Sequence, residues 1–118
     1  MAITQALEDY YFKGIYEGNI SLLKQIFHPE TYLYGDVKGQ PYSKTLAAYL
    51  DGVASRQSPE DSGKPFKGTI ISIDVINSIA IAKAEVQMYE FIYVDLLSFH
   101  LINDKWFIVN KMLSDVAK

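Results

Sequence analysis

Cysteine is absent from the 118 residues. Disulfides, thiolate metal sites and a cysteine nucleophile are thereby excluded together, and the absence fits a reducing compartment. Histidine is scarce: His28 and His100 are the two, far apart and without a carboxylate at ligand spacing, so no metal site is expected. There is no run of basic residues; 11 Lys and Arg stand against 14 Asp and Glu, a net charge of -3. Nucleic-acid binding needs a concentrated positive field to offset phosphate charge, so it is not expected here. No apolar run reaches the roughly 18 residues that a membrane-spanning helix needs. The stretch Met1-Ala2-Ile3-Thr4-Gln5-Ala6 lacks the basic region and apolar run of a secretory signal. Gly-x-Ser-x-Gly and Gly-rich phosphate loops are also missing, and no cofactor is expected. These absences lead to the expectation of a cytoplasmic globular domain spanning residues 1–118, with 49% hydrophobic residues to build its core.

What is present divides into helices first and strands afterwards. Ile3, Leu7, Tyr11 and Ile15 recur every four residues and make one apolar stripe. Gly18 stops that helix and Asn19 caps the next, whose buried side is Leu22, Leu23, Ile26 and Phe27. His28-Pro29 ends it, because the residue before proline is pushed out of the α region. A short strand with Tyr32 and Tyr34 on one face follows, then a turn over Gly35–Gly39. Ser43 is the expected N-cap of a third helix carrying Leu46, Ala47, Leu50, Val53 and Ala54. Residues 55–65, polar and containing Pro and Gly, read as a loop.

The second half alternates. Thr69, Ile71, Ile73 and Val75 make one strand, and Asn77-Ser78 turns the chain. Ala80, Ala82, Ala84, Val86 and Met88 face one way in the next strand. Phe91, Tyr93, Asp95, Leu97, Phe99 and Leu101 share a face in the third. Asn103-Asp104 turns into a fourth strand, with Trp106, Ile108, Asn110 and Met112 on one side. Helices followed by an antiparallel meander give an α+β domain.

Four residues bear on function. Asp95 interrupts an apolar face, where a carboxyl group is costly unless paired or protonated; the surroundings favour the protonated form, which can donate to an oxyanion. The alternative is a carboxylate held at a rim by backbone or lysine. Tyr11 is either a pocket phenol or one more member of its stripe. Asn110, between Ile108 and Met112, is either a ligand contact or an edge amide. His28 is an acid–base candidate, or it bonds the free carbonyls of the helix end.

The stretch from Tyr10 to Asn19, followed by Phe27-His28-Pro29-Glu30, resembles the opening of the SnoaL-like and "putative lumazine-binding" branch of the nuclear transport factor 2-like superfamily. Residues 94–99 and 103–111 resemble that branch's closing hairpin. The resemblance implies a cone: N-terminal helices on a strongly curved antiparallel sheet, a cystatin-like α+β roll, commonly dimeric through the outer sheet face. It also implies a pocket inside the cone for a small apolar or planar ligand, with Tyr11, Tyr32, Asp95, Phe99 and Asn110 as its contacts, and Tyr11 and Asp95 as candidate catalytic residues. Tyr11, eight residues before Asn19, and Asp95 match the tyrosine and acid of isomerase-like relatives. The general base of those relatives falls on Gly35, which has no side chain to act with. Asp36 is adjacent but of opposite strand parity. A small-molecule-binding domain is the leading reading. A cofactor-free proton-transfer enzyme (isomerase, cyclase or dehydratase) comes second, and a dimeric interaction module using Ile79, Ile81, Val94 and Leu96 comes third.

Overall fold

A computed structural model describes residues 2–116; the outermost positions of the expected domain, Met1, Ala117 and Lys118, lie outside the described residues. The first helix, α1, is built from Ala2–Ala6, a π-helical stretch Leu7–Phe12 and Lys13–Glu17. Its expected stripe is fully realised: Ile3, Leu7, Tyr11 and Ile15 are all buried. Gly18 takes the left-handed conformation, and the Asn19 side chain accepts from the Leu22 N–H (3.2 Å) to start α2, Ile20–Ile26. Both termini follow the expected capping chemistry.

Six strands form one sheet in the order β2-β1-β6-β5-β4-β3. They are β1 (Phe27–Val37), β2 (Gln40–Thr45), β3 (Lys67–Ile76), β4 (Ile79–Met88), β5 (Phe91–Ile102) and β6 (Lys105–Val116). The helices α3 (Leu46–Ser55) and α4 (Pro59–Ser62) lie between β2 and β3. The α+β class and the curved sheet are as expected. One pairing is not antiparallel: β1 runs parallel to β6. The chain therefore adds β1 beside its own last strand, closing the two halves of the sequence onto one sheet.

Local readings shift in the middle of the chain. The strand after α2 starts at Phe27 rather than beyond Pro29, and it continues through Gly35 to Val37. Residues 40–45, which include the expected cap Ser43, pair with β1 as β2, and Thr45 rather than Ser43 caps α3 by accepting from the Ala48 N–H (3.2 Å). Inside the segment 55–65, Ser58 caps the short α4.

The core lies between α1 and the inner face of the sheet. Ala80, Ala82 and Ala84 occupy three successive inward positions of β4, and their small side chains leave room for the bulky stripe of α1. Gly68 on β3 serves the same end, since a Cβ there would sit 2.4 Å from the Phe12 ring. The outer face is different. Ile79, Ile81, Leu96 and Met112 are each 43% exposed or more and form an apolar group on that face.

Candidate functional site

Asp95 and Lys111 are the charged pair of the core, 2% and 4% exposed. Strand pairing places them together. Asp95 lies opposite Leu113, and Leu97 lies opposite Lys111, so the two charges are diagonal neighbours on the inner face. Lys111 Nζ stands 3.9 Å from Asp95 Oδ2. Tyr11, from the π-helical stretch of α1, donates its hydroxyl to the same Oδ2. The other oxygen, Oδ1, is buried and has no hydrogen-bond partner among the described residues. Lys111 Nζ also donates to the Tyr49 hydroxyl at 3.5 Å, and it lies 5.1 Å and 4.7 Å from the ring centroids of Tyr11 and Tyr49. Both nitrogen–oxygen distances are longer than a good charged hydrogen bond. The ammonium is thus enclosed by aromatic faces with its donors poorly matched.

A cavity of about 120 Å³ adjoins this cluster. Asp95, Lys111 and Tyr49 line it, with Tyr42, Tyr93 and Arg56; the remainder of its wall is aliphatic or methionine. Arg56 follows the last residue of α3, and its Nε is buried without a hydrogen-bond partner among the described residues. The volume is below the roughly 300–1,000 Å³ of drug-sized sites, so the space suits a molecule of few heavy atoms. A wider depression of about 640 Å³ lies on the outer sheet face around Ile76, Ile79, Ile81 and Ser98. It is shallow and holds no buried charge.

Burial, and then the neighbouring Asp95 carboxylate, push the Tyr11 phenol well above its ordinary value. Tyr11 therefore stays a donor. For Lys111, burial works against the ammonium, but Asp95, Tyr49 and Tyr42 overcome it, and the net shift is upward. Burial raises Tyr42, with Lys111 pulling it back, and burial followed by Asp115 raises Tyr93.

The structure brings Tyr11 and Asp95 together as a donor and its acceptor. They do not stand side by side as two donors awaiting an oxyanion; Tyr11 donates to Asp95. The protonated-acid reading of Asp95 meets a lysine ammonium at ion-pair distance instead. Phe99 is buried in the core and does not line the cavity. Tyr32 and Asn110 sit on the other side of the sheet, where Asn110 Nδ2 donates to the Tyr32 carbonyl (3.1 Å) and Tyr32 packs on Tyr34. Asp36 is exposed on that outer side. His28 neither closes a helix nor reaches the cavity: its Nδ1 accepts from the Glu30 N–H (3.1 Å), and its ring packs against Phe107.

Lys111 and Arg56 are the charged residues of the cavity wall that sequence reasoning missed. Arg56 lay in a segment read as loop. Lys111 was hidden by a bulge between Ser98 and Phe99, where Ser98 faces Asn110 and Phe99 faces Ile108. The extra residue, Val109, reverses the parity of everything after it. The available signal was Asp95 itself, a carboxyl group on an apolar face that needed a cation on a neighbouring strand. Among the described residues no cluster of three or more His, Cys, Asp or Glu is placed to hold a metal ion, and no helix is long and apolar enough to cross a membrane.

Comparison with known proteins places this geometry in context. A family model described as "Putative lumazine-binding" matches residues 1–114. The chain is 33% identical over 104 residues to a protein from Cladobotryum sp named "Aldolase FrzH", covering 86% of this chain and 80% of that one. Among solved structures, an NTF-2 like protein of unknown function from Silicibacter pomeroyi DSS-3 superposes with a TM-score of 0.86 at 22% identity, over 98% of this chain and 93% of its own. One from Shewanella baltica OS155 gives 0.85 at 19%, over 99% and 93%. A cystatin-like fold protein from Burkholderia xenovorans LB400 gives 0.69 at 17%, over 99% and 91%. At these identities the structural matches speak to the fold alone.

Proposed function

The chain belongs to the family described as "Putative lumazine-binding", and on that premise we propose that residues 1–118 act as one domain whose cavity takes up a small, flat, carbonyl-bearing molecule. The observation that carries the reading is the unmatched polar pair in the cavity wall: Asp95 Oδ1 lacks a donor, and the Lys111 ammonium lacks a good acceptor. A buried group in that state costs free energy unless something completes it. A ligand carbonyl against Lys111 and a ligand donor against Asp95 would do so. Titration of the ¹⁵N-labelled protein with acetylacetone tests the reading. Amide shifts at Tyr49, Asp95 and Lys111 are expected, and shifts confined to the outer-face residues Ser98 and His100, or none at all, would overturn it.

A second reading, cofactor-free carbonyl chemistry, is favoured by the same free oxygen and by the relative named an aldolase. Asp95 would take a proton from the carbon beside a carbonyl, the electron pair would pass to the carbonyl oxygen, and Lys111 would stabilise the enolate there. This supplies a base where position 35 has none. The upward shift of Lys111 argues against the lysine acting as a free amine that condenses with the carbonyl. In D₂O, exchange of the α-protons of 4-hydroxy-2-butanone is expected to accelerate about 10²-fold or more and to return to the background rate in Asp95→Asn; equal rates with and without protein would remove the enzyme reading.

We also propose that a second copy of the chain covers the outer sheet face, since Ile79, Ile81, Leu96 and Met112 form its exposed apolar patch. Sedimentation should give a dimer, and Leu96→Asp with Ile81→Asp should give a monomer. A monomeric parent protein would sink this assignment.

A further inference from the structure

Resting on the cavity as a small-molecule site, we infer that its ligand is an anion, carrying a carboxylate or comparable delocalised oxyanion at one end and a hydrogen-bond donor at the other. The charges around the cavity decide the sign. Its wall contains Lys111 and Arg56 against one carboxylate, Asp95. Lys111 and Asp95 offset one another at 3.9 Å, which leaves the guanidinium uncompensated. Among the described residues no carboxylate lies within ion-pair distance of Arg56. Its guanidinium carbon lies 5.7 Å from the centroid of the Tyr89 ring. Asp115 acts on Tyr93, but it is outside the lining, and its Oδ1 accepts the Lys38 N–H at 2.7 Å.

The donor and acceptor inventory gives the same answer with more detail. Lys111 offers three N–H donors and holds one long bond, to Tyr49. Arg56 offers five, and its Nε is buried and unmatched. Two under-used cations on one small cavity call for an acceptor of high charge density, and a planar oxyanion suits the flat guanidinium fork. Against these stands one under-used acceptor, Asp95 Oδ1. It calls for a hydroxyl, enol or N–H on the same ligand, within the short reach that about 120 Å³ allows. A wholly apolar ligand would leave Asp95 Oδ1 and Arg56 Nε unmatched, which is the costly outcome for buried polar atoms.

Acetoacetate and acetoacetamide are a test pair of nearly equal shape, differing in a carboxylate against a neutral amide. Each is titrated into the ¹⁵N-labelled protein at neutral pH, and the amides of Arg56, Asp95 and Lys111 are followed. Acetoacetate is expected to bind about tenfold more tightly or better, a difference of the size that complementary buried charge confers. In Arg56→Gln that advantage is expected to shrink to about threefold or less; a full advantage in this variant would overturn the assignment to Arg56. The partly exposed position of Arg56 makes this variant the one to use, and Lys111→Arg, which keeps the charge, serves as a second. Equal affinity of the two probes at the cavity would overturn the anion assignment and leave the small-molecule reading standing. Cavity shifts from neither probe would overturn both.

Discussion

Replacing Lys111 by methionine is expected to lower the free energy of unfolding by about 3–5 kcal/mol, the usual cost of leaving one member of a buried ion pair without its partner. The Asp95 carboxylate would remain 2% exposed with the Tyr11 hydroxyl as its donor and no cation beside it. Adding Asp95→Leu to Lys111→Met removes the stranded charge, and the double variant should recover most of the loss, since apolar replacement of a whole buried pair is often neutral or stabilising. Urea unfolding followed by circular dichroism measures all three proteins. A loss below about 1 kcal/mol for Lys111→Met would show that water reaches the pair and that the two charges do not depend on one another. The pair should also mark the alkaline limb of stability. Lys111 is raised in the folded state above an unfolded value near 10.4, so its contribution is complete below that pH and is lost as pH rises through the folded value. Tyr11 has the same sign, because its phenol is harder to ionise in the folded chain than in the unfolded one, where it titrates near 10. Above about pH 10 the protein should therefore lose up to roughly 1.4 kcal/mol per pH unit for each of the two groups. Lys111→Met should lose its share of that slope.

The residues that carry this pair show where sequence reasoning succeeds. Asp95 declares itself, because a carboxyl between Tyr93 and Leu97 on an alternating strand has to be answered by something. Tyr11 declares itself through the four-residue period of α1. Both readings rest on periodicity, and periodicity is local. Lys111 depends on a register that a local pattern does not hold. Counted back from the Ile102–Lys105 pair at the hairpin turn, a regular ladder would set Lys111 against Leu96 on the outer face. The extra residue at Val109 sets it against Leu97 inside. One residue thus moves a cation from solvent into the core and sends Asn110 the other way. The Tyr89–Glu90 turn was illegible for a related reason. Both residues take positive φ without glycine or asparagine, and distant contacts accompany them: Tyr89 donates to the Gln57 carbonyl, and Glu90 is 3.8 Å from Lys64. Likewise, β2 carries no strong alternation of its own and exists as the partner of β1.

These departures bear on function in one direction. Taken from the sequence, Tyr11 and Asp95 were two donors without a base. In the fold Tyr11 holds one oxygen of Asp95, Lys111 balances the charge, and the second oxygen is buried without a hydrogen-bond partner among the described residues. Under the proposed function Asp95 would serve as an acceptor, for a ligand's hydrogen bond or for its proton. The proposed binding and the proposed carbonyl chemistry would both use Asp95 and Lys111, and the chemistry of the ligand would separate the two.

Gly35→Ala should be as damaging as the loss of Lys111, at about 3–5 kcal/mol and a fall in melting temperature on the order of 10–20 °C. Gly35 has φ +154, and a Cβ placed on it would lie 1.8 Å from the Leu113 carbonyl oxygen. The side chain would collide with backbone that is already committed to the parallel β1–β6 ladder, where Gly35 faces Leu113. Relief requires the strands to part, since no rotamer removes a Cβ. Gly35→Asp, which would install a carboxylate where isomerase-like relatives carry their base, should be at least as destabilising and should confer no proton-transfer activity of its own. Leu113 links this effect to the site: it lines the cavity and is paired with Asp95 across β5 and β6. A Gly35→Ala protein that remains folded at low temperature should therefore show amide shifts at Asp95 and Lys111 as well as near residue 35. Thermal unfolding and a ¹⁵N spectrum decide the matter together. A cost under about 1 kcal/mol would mean that the β1–β6 backbone yields freely at Leu113. Full cost with an unmoved Asp95 would mean that the ladder and the cavity wall are mechanically separate.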